Sequence, residues 1–265
     1  MKKHIFLFAI AILSCLQLSA QSSNNASPKH EFRATWFTTV ANIDWPSTKV
    51  TKVTDEASRT AQQKELTDIL DALQAGNINA VCLQVRSLSD ALYASSYEPW
   101  AVCLTGTRGK DPGYDPLQFA IEECHKRGIE CHAWINPYRY STSTDTYGTL
   151  PTDYSNTHPE WLLDCGGTVI LNPGMPEVRQ RIVDVVIDIL SKYDVDGIVF
   201  DDYFYPNGGM TDEKDQAQYD AYNPDSLERG DWRRHQVNLM VEDVYEDEEA
   251  DIEEWYNDRK DKEDE

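Results

Sequence analysis

The chain has 265 residues, 40% of them hydrophobic, which is enough for one sizeable domain. Lysine and arginine number 24 against 46 aspartates and glutamates, giving a formal net charge of −22. That balance argues against nucleic acid or an anionic membrane as partner, because phosphate binding needs clustered cations. Residues 242 to 265 hold fourteen acids and three bases, a net −11, so half of the charge sits at one end.

The first twenty residues predict a secretory signal peptide. Lys2 and Lys3 precede an apolar run from Ile5 to Leu13, and Leu18-Ser19-Ala20 offers a small-residue cleavage site. The run is too short for a membrane span. Export to the periplasm or cell envelope is therefore expected, and simple cleavage is preferred to lipidation at Cys15. Residues 21 to 30 form a polar linker. Five cysteines follow, an odd number at spacings that match no zinc or redox pattern. Cys82 and Cys131 lie in apolar runs and read as small buried hydrophobes. A disulfide among Cys103, Cys124 and Cys165 stays open.

From Glu31 to Val40 the β-branched and aromatic residues predict a first strand. A loop carrying Asn42, Asp44 and Trp45 follows it. The spacing of Leu66, Ile69, Leu70 and Leu73 predicts a helix from about Asp55 to Ala75, stopped by Gly76. Ile78 to Val85 reads as a second, buried strand ending at Arg86. The long loop from Ser87 to Tyr114 is rich in aromatics, which points to an ordered, functional segment. Asp115 and Pro116 open the next helix as N-cap and first helical residue. Ile129 to Ile135 predicts a third strand, ending at Asn136-Pro137-Tyr138-Arg139. A helix from Met175 to Tyr193 leads to the fourth strand, Gly197 to Phe200, which ends in Asp201 and Asp202. Trp232 to Tyr245 predicts a further helix, and residues 246 to 265 an acidic tail.

Strand–helix alternation of this kind predicts a parallel sheet, and in each unit the polar and aromatic residues collect just after the strand. Clustering at carboxyl ends is where a TIM-type (β/α)8 barrel places its site. An open doubly wound sheet does the same. None of the turns is a glycine-rich phosphate loop, so a nucleotide site is not expected, and no cofactor or metal is read from the chain. Neighbouring strand residues point to opposite faces, so at most one of Asp201 and Asp202 faces the centre. Two adjacent carboxylates at the end of a dry strand need partners or a use. Pairing with an arginine, Arg86 or Arg139, is the alternative to chemistry. Four units already reach about Phe204, so the chain is expected to hold only the first half of a barrel.

Four stretches carry a resemblance to a known family: Phe32 to Trp36 with Asn42 to Ser47; Gln84-Val85-Arg86; His132 to Arg139; and Asp196 to Pro206. They resemble the bacterial glycosyl-hydrolase-like 10 family, from about Glu31 to Tyr245. The resemblance implies a TIM barrel, residence in the cell envelope and action on carbohydrate. One characterised member of that family cleaves peptide-stripped glycan strands of peptidoglycan. Members continue through a second half of the barrel that is not seen here, so residues 31 to 245 are expected to be an incomplete barrel domain.

Glycoside hydrolysis usually needs two carboxyl groups, one acid and one nucleophile or base. Asp201 is the candidate nucleophile or base, in a register after Gly197 that resembles related barrel glycosidases. Asp202 would orient a sugar hydroxyl or an arginine. Asp44 is a weak candidate for the acid. Trp36, Trp45, Trp134, Tyr138, Tyr203 and Tyr205 could stack on sugar rings or serve as core anchors. Arg86, Arg139, His132 and Asn136 complete the candidate substrate contacts. Two rival readings stay open: a carbohydrate-binding fragment without catalysis, and a metal-dependent hydrolase using Asp201, Asp202 and His132, which lacks a second histidine at useful spacing.

Overall fold

Four parallel strands, β1 (Ala34–Phe37), β2 (Ala80–Arg86), β3 (Glu130–Ile135) and β7 (Gly197–Phe200), lie side by side in the order β1-β2-β3-β7 in the computed structural model. The strands follow one another around the sheet as in the first half of a (β/α)8 barrel, and the fold class is α/β of that kind. The structure describes residues 31–142, 148–202 and 204–263. The expected signal peptide, Cys15 and the linker of residues 21–30 lie outside the described residues, as does Tyr203. From Arg33 onward the chain forms one compact unit.

Helices fill the crossovers for local reasons. Helix α1 (Glu56–Ala75) starts at Asp55, whose carboxylate accepts from Ser58 N at 2.8 Å while Ser58 Oγ accepts from Asp55 N at 3.0 Å. Helix α2 (Pro116–His125) starts at Asp115, which caps Leu117 and Gln118, with proline in the first turn. Between β3 and the next crossover helix the chain inserts a small antiparallel sheet, β4 (Arg139–Ser141), β5 (Leu162–Asp164) and β6 (Val169–Leu171), in the order β4-β6-β5. Helix α3 (Pro176–Lys192) buries Val178, Ile182, Val185, Val186 and Ile189, the face its spacing predicts. After β7 come a short helix α4 (Gln216–Ala221) and a long one, α5 (Arg229–Glu263).

Two expectations change. The first strand is shorter than Glu31–Val40, because Gln84 Oε1 accepts from Thr39 N at 3.0 Å and Val40 N at 2.9 Å and draws the chain out of the ladder into a 3-10 turn, Val40–Asn42. The acidic end, read as a tail, continues the helix as far as Glu263. All five described cysteines are free and buried, so none of them is bridged to another. No helix among the described residues is long and apolar enough to cross a membrane.

Candidate active site

Paired residues of a parallel sheet share a face, so the register sorts the site. Trp36, Cys82, His132 and Gly197 form one row, and Gln84, Trp134 and Val199 the next row on that face. Phe37, Leu83, Ala133 and Ile198 lie on the other face, and the first three are buried. Cys82 is small enough to let two indoles meet across β2. Trp36 and Trp134 make an edge-to-face pair with centroids 4.8 Å apart. Trp36 is 50% exposed and Trp134 buried, so one offers a face while the other braces it. Gly197 sits against the imidazole of His132; a Cβ there would come within 2.5 Å of Nδ1.

The ladder continues one residue beyond β7, with Asp201 N donating to Ile135 O at 3.3 Å. Asp201 thereby keeps the parity of Gly197 and Val199, on the face of His132 and the two indoles, and it is exposed. Asp202 turns away. Its φ is +104°, and both its carboxylate oxygens accept from Arg139, Nε and Nη2. The two aspartates are thus told apart by backbone geometry and pairing: Asp202 is neutralised, while Asp201 presents its carboxylate at the sheet's carboxyl edge.

The remaining sequence candidates divide. Arg86 is corrected: it is fully buried and pairs with Glu98, not with either aspartate, through Nε (2.7 Å) and Nη2 (2.5 Å). Burial works against its charge, and Glu98 more than compensates, so its pKa is raised. Trp45 is corrected too. Its indole is buried and donates to Gln62 O at 3.0 Å, so it cannot stack on a sugar. Tyr138 is also buried, edge-on to Phe204, and burial pushes its hydroxyl pKa up. Asp44 is exposed and holds the turn after β1 by accepting from Thr38 N at 2.9 Å. His132 Nε2 lies 2.9 Å from Glu130 Oε2, within its own strand. Asn136 is buried at the end of β3, with Nδ2 donating to Ser87 O at 3.2 Å.

Several buried polar atoms at this end of the sheet make no hydrogen bond among the described residues: Trp134 Nε1, Asn136 Oδ1, Tyr138 Oη and Tyr205 Oη. Such atoms cost stability and need a reason. Tyr205, half-buried, lines a cleft of about 550 Å³ with Asp202, Phe204, Arg233 and Val237. Glu98 is the residue sequence reading missed. Nothing local flags it, since its partner is twelve residues away across a loop. Among the described residues no three of His, Cys, Asp and Glu are grouped to hold a metal ion.

The sequence profile of the glycosyl hydrolase-like 10 family matches residues 31–249. The chain belongs to that family. Its relatives include the glycosyl hydrolase YngK of Bacillus subtilis, 40% identical over 247 residues, covering 92% of this chain and 47% of YngK. The glycosyl hydrolase DigH of Escherichia coli is 34% identical over 266 residues, covering 92% of this chain and 61% of DigH. The chain thus spans about half to three fifths of the length of these family members. Among solved structures, an α-galactosidase from Thermus thermophilus is similar over 80% of this chain and 36% of its own, at 15% identity and a TM-score of 0.44.

Proposed function

We propose that this chain belongs to an exported glycoside hydrolase of the periplasm or cell envelope that cleaves O-glycosidic bonds in a polysaccharide. Peptidoglycan glycan strands are the candidate substrate, and Asp201 the nucleophile or base. One observation carries the reading: an exposed carboxylate at the carboxyl end of β7, on the face shared by His132, Trp134 and the half-exposed Trp36, beside a neighbour already neutralised by Arg139. A carboxylate with its oxygens toward solvent can attack an anomeric carbon or activate water. The indole of Trp36 offers a flat apolar surface for a sugar ring. The leaving oxygen needs a proton from a second carboxyl group about 5–10 Å away. Asp202, tied at both oxygens to Arg139, is not that group.

The half-exposed indole of Trp36 also fits a second reading, glycan binding without turnover. Reducing-end release from purified glycan strands separates them. The first reading expects release by the unmodified chain, lost by about 10³-fold or more in Asp201→Asn, with thermal stability retained. Unchanged cleavage by Asp201→Asn would remove the nucleophile assignment. Co-sedimentation with glycan and no release at all would favour binding alone.

A further inference from the structure

The buried pair Arg86–Glu98 stands where the long loop after β2 meets the end of β3. Arg86 uses every arm of its guanidinium. Nε and Nη2 take Glu98, Nη1 donates to the carbonyls of Asn136 (2.5 Å) and Pro137 (2.9 Å), and Nη2 also reaches Ser89 Oγ at 3.1 Å. Ser89 Oγ in turn donates to the carbonyl of Arg139 at 3.1 Å. Three acceptors around the β3 exit, the carbonyls of residues 136, 137 and 139, are therefore gripped directly or through one hydroxyl. The side chain that leaves this segment is Arg139, and it holds Asp202. Glu98 is also held by Tyr154, whose hydroxyl donates at 3.2 Å to Oε1, the oxygen that Arg86 Nη2 meets.

We infer that Glu98 is a positioning residue for the candidate site: through Arg86 it sets the β3 exit, hence Arg139, hence the Asp201–Asp202 turn. The inference rests on the hydrolase reading and adds a residue that touches neither substrate nor the reacting carboxylate. Two features favour positioning over mere anchorage of the loop. A guanidinium forked onto a carboxylate presents its remaining N–H groups in one plane at fixed angles, so the carbonyls it meets are located as well as satisfied. And the hold ends one side chain away from the aspartates, where an error of about 1 Å can cost about 10²-fold in rate.

The test separates holding from folding. Glu98→Gln leaves the Arg86 charge buried without its counter-ion, so a loss of activity there could follow from loss of fold. The double variant Arg86→Met with Glu98→Leu removes both charges at similar side-chain volume, so no charge is left buried alone, while the grip on the Asn136 and Pro137 carbonyls is gone. Positioning predicts an unfolding midpoint close to that of the unmodified chain, kcat on glycan strands lowered about 10- to 100-fold with KM changed less than threefold, and faster amide exchange confined to residues 135–141. Tyr154→Phe, which loosens Glu98 without discharging it, should fall between. Recovery of both stability and kcat in the double variant would show that the pair only anchors the loop, and would overturn the inference. Asp201→Asn, run alongside, distinguishes the two failures. If it retains full activity the nucleophile assignment goes, and if the unmodified chain releases no reducing ends both the hydrolase reading and the inference go.

Discussion

The chemistry proposed here turns on one residue that bends and another that does not. Asp202 has φ +104°, a region that residues with a Cβ enter at a cost of about 1–3 kcal/mol. The bidentate pair with Arg139, whose side chain is largely buried, offsets that cost and points the adjacent Asp201 the other way. A pair of substitutions reads both terms. Asp202→Ala keeps the strained backbone and removes the carboxylate, so it should destabilise by about 1.5–3 kcal/mol, the range for a hydrogen bond to a charged partner. Asp202→Gly removes the same carboxylate but relaxes the backbone, and should be about 1 kcal/mol less damaging than Asp202→Ala. Chemical unfolding of the two measures the gap; equal losses would mean that the turn is unstrained. At this scale the sequence was only half legible. It offered Arg86 and Arg139 equally as partners for the aspartates, and parity showed that only one aspartate could face inward. It could not show that a carboxylate on the Ser87–Tyr114 loop, Glu98, would claim Arg86, because that contact depends on how the loop folds back.

Elements were more legible where periodicity was long. Helix α3, with five buried aliphatics on one face, starts and stops within a residue or two of the predicted bounds; α1 starts within a residue of Asp55, and α2 at the N-cap read for it. The three strands of the small antiparallel sheet, each of three residues, are too short for alternation to register, and their pairing is settled by contacts with one another. One contact between elements makes a pH prediction. Asp188 on α3 accepts from Ser96 N at 3.0 Å and Ser96 Oγ at 2.7 Å, and meets Lys192 Nζ at 2.5 Å, so it ties the long loop to the helix. Burial pushes its carboxyl up, but Lys192 and both Ser96 donors outweigh that, leaving it below the ordinary value of 3.8. A depressed carboxylate stabilises the fold fully above its unfolded pKa, and the contribution fades as pH falls through the native one. The stability gap between the unmodified chain and Asp188→Asn should therefore be constant from pH 7 to about 5 and shrink below about pH 4. Urea unfolding across that range measures it, and a gap that widened in acid would contradict the assignment.

At the scale of the molecule, charge is distributed unevenly along the chain. Helix α5 runs from Arg229, where it packs on α3 through Arg179 with Gln236 and Asp243, to Glu263. Its second half holds most of the fourteen acids counted from residue 242, with the few bases gathered at 259, 260 and 262. Acids four residues apart, such as Glu242 with Glu246, repel on one helix face at about 0.2–0.5 kcal/mol. The helix macrodipole favours cations, not anions, toward this end. No composition argument could have extended the helix past Tyr245, since good helix formers and a run of like charges point in opposite directions. Which wins depends on screening. Raising salt from about 10 mM to about 1 M shortens the Debye length from about 30 Å to about 3 Å, which removes repulsion between exposed charges while leaving the buried sheet untouched. Amide exchange on the whole chain should then show protection over residues 246–263 rising several-fold with salt, while β2 and β3 change little. Protection there that ignored salt would mean that something other than local charge balance holds the helix out to Glu263.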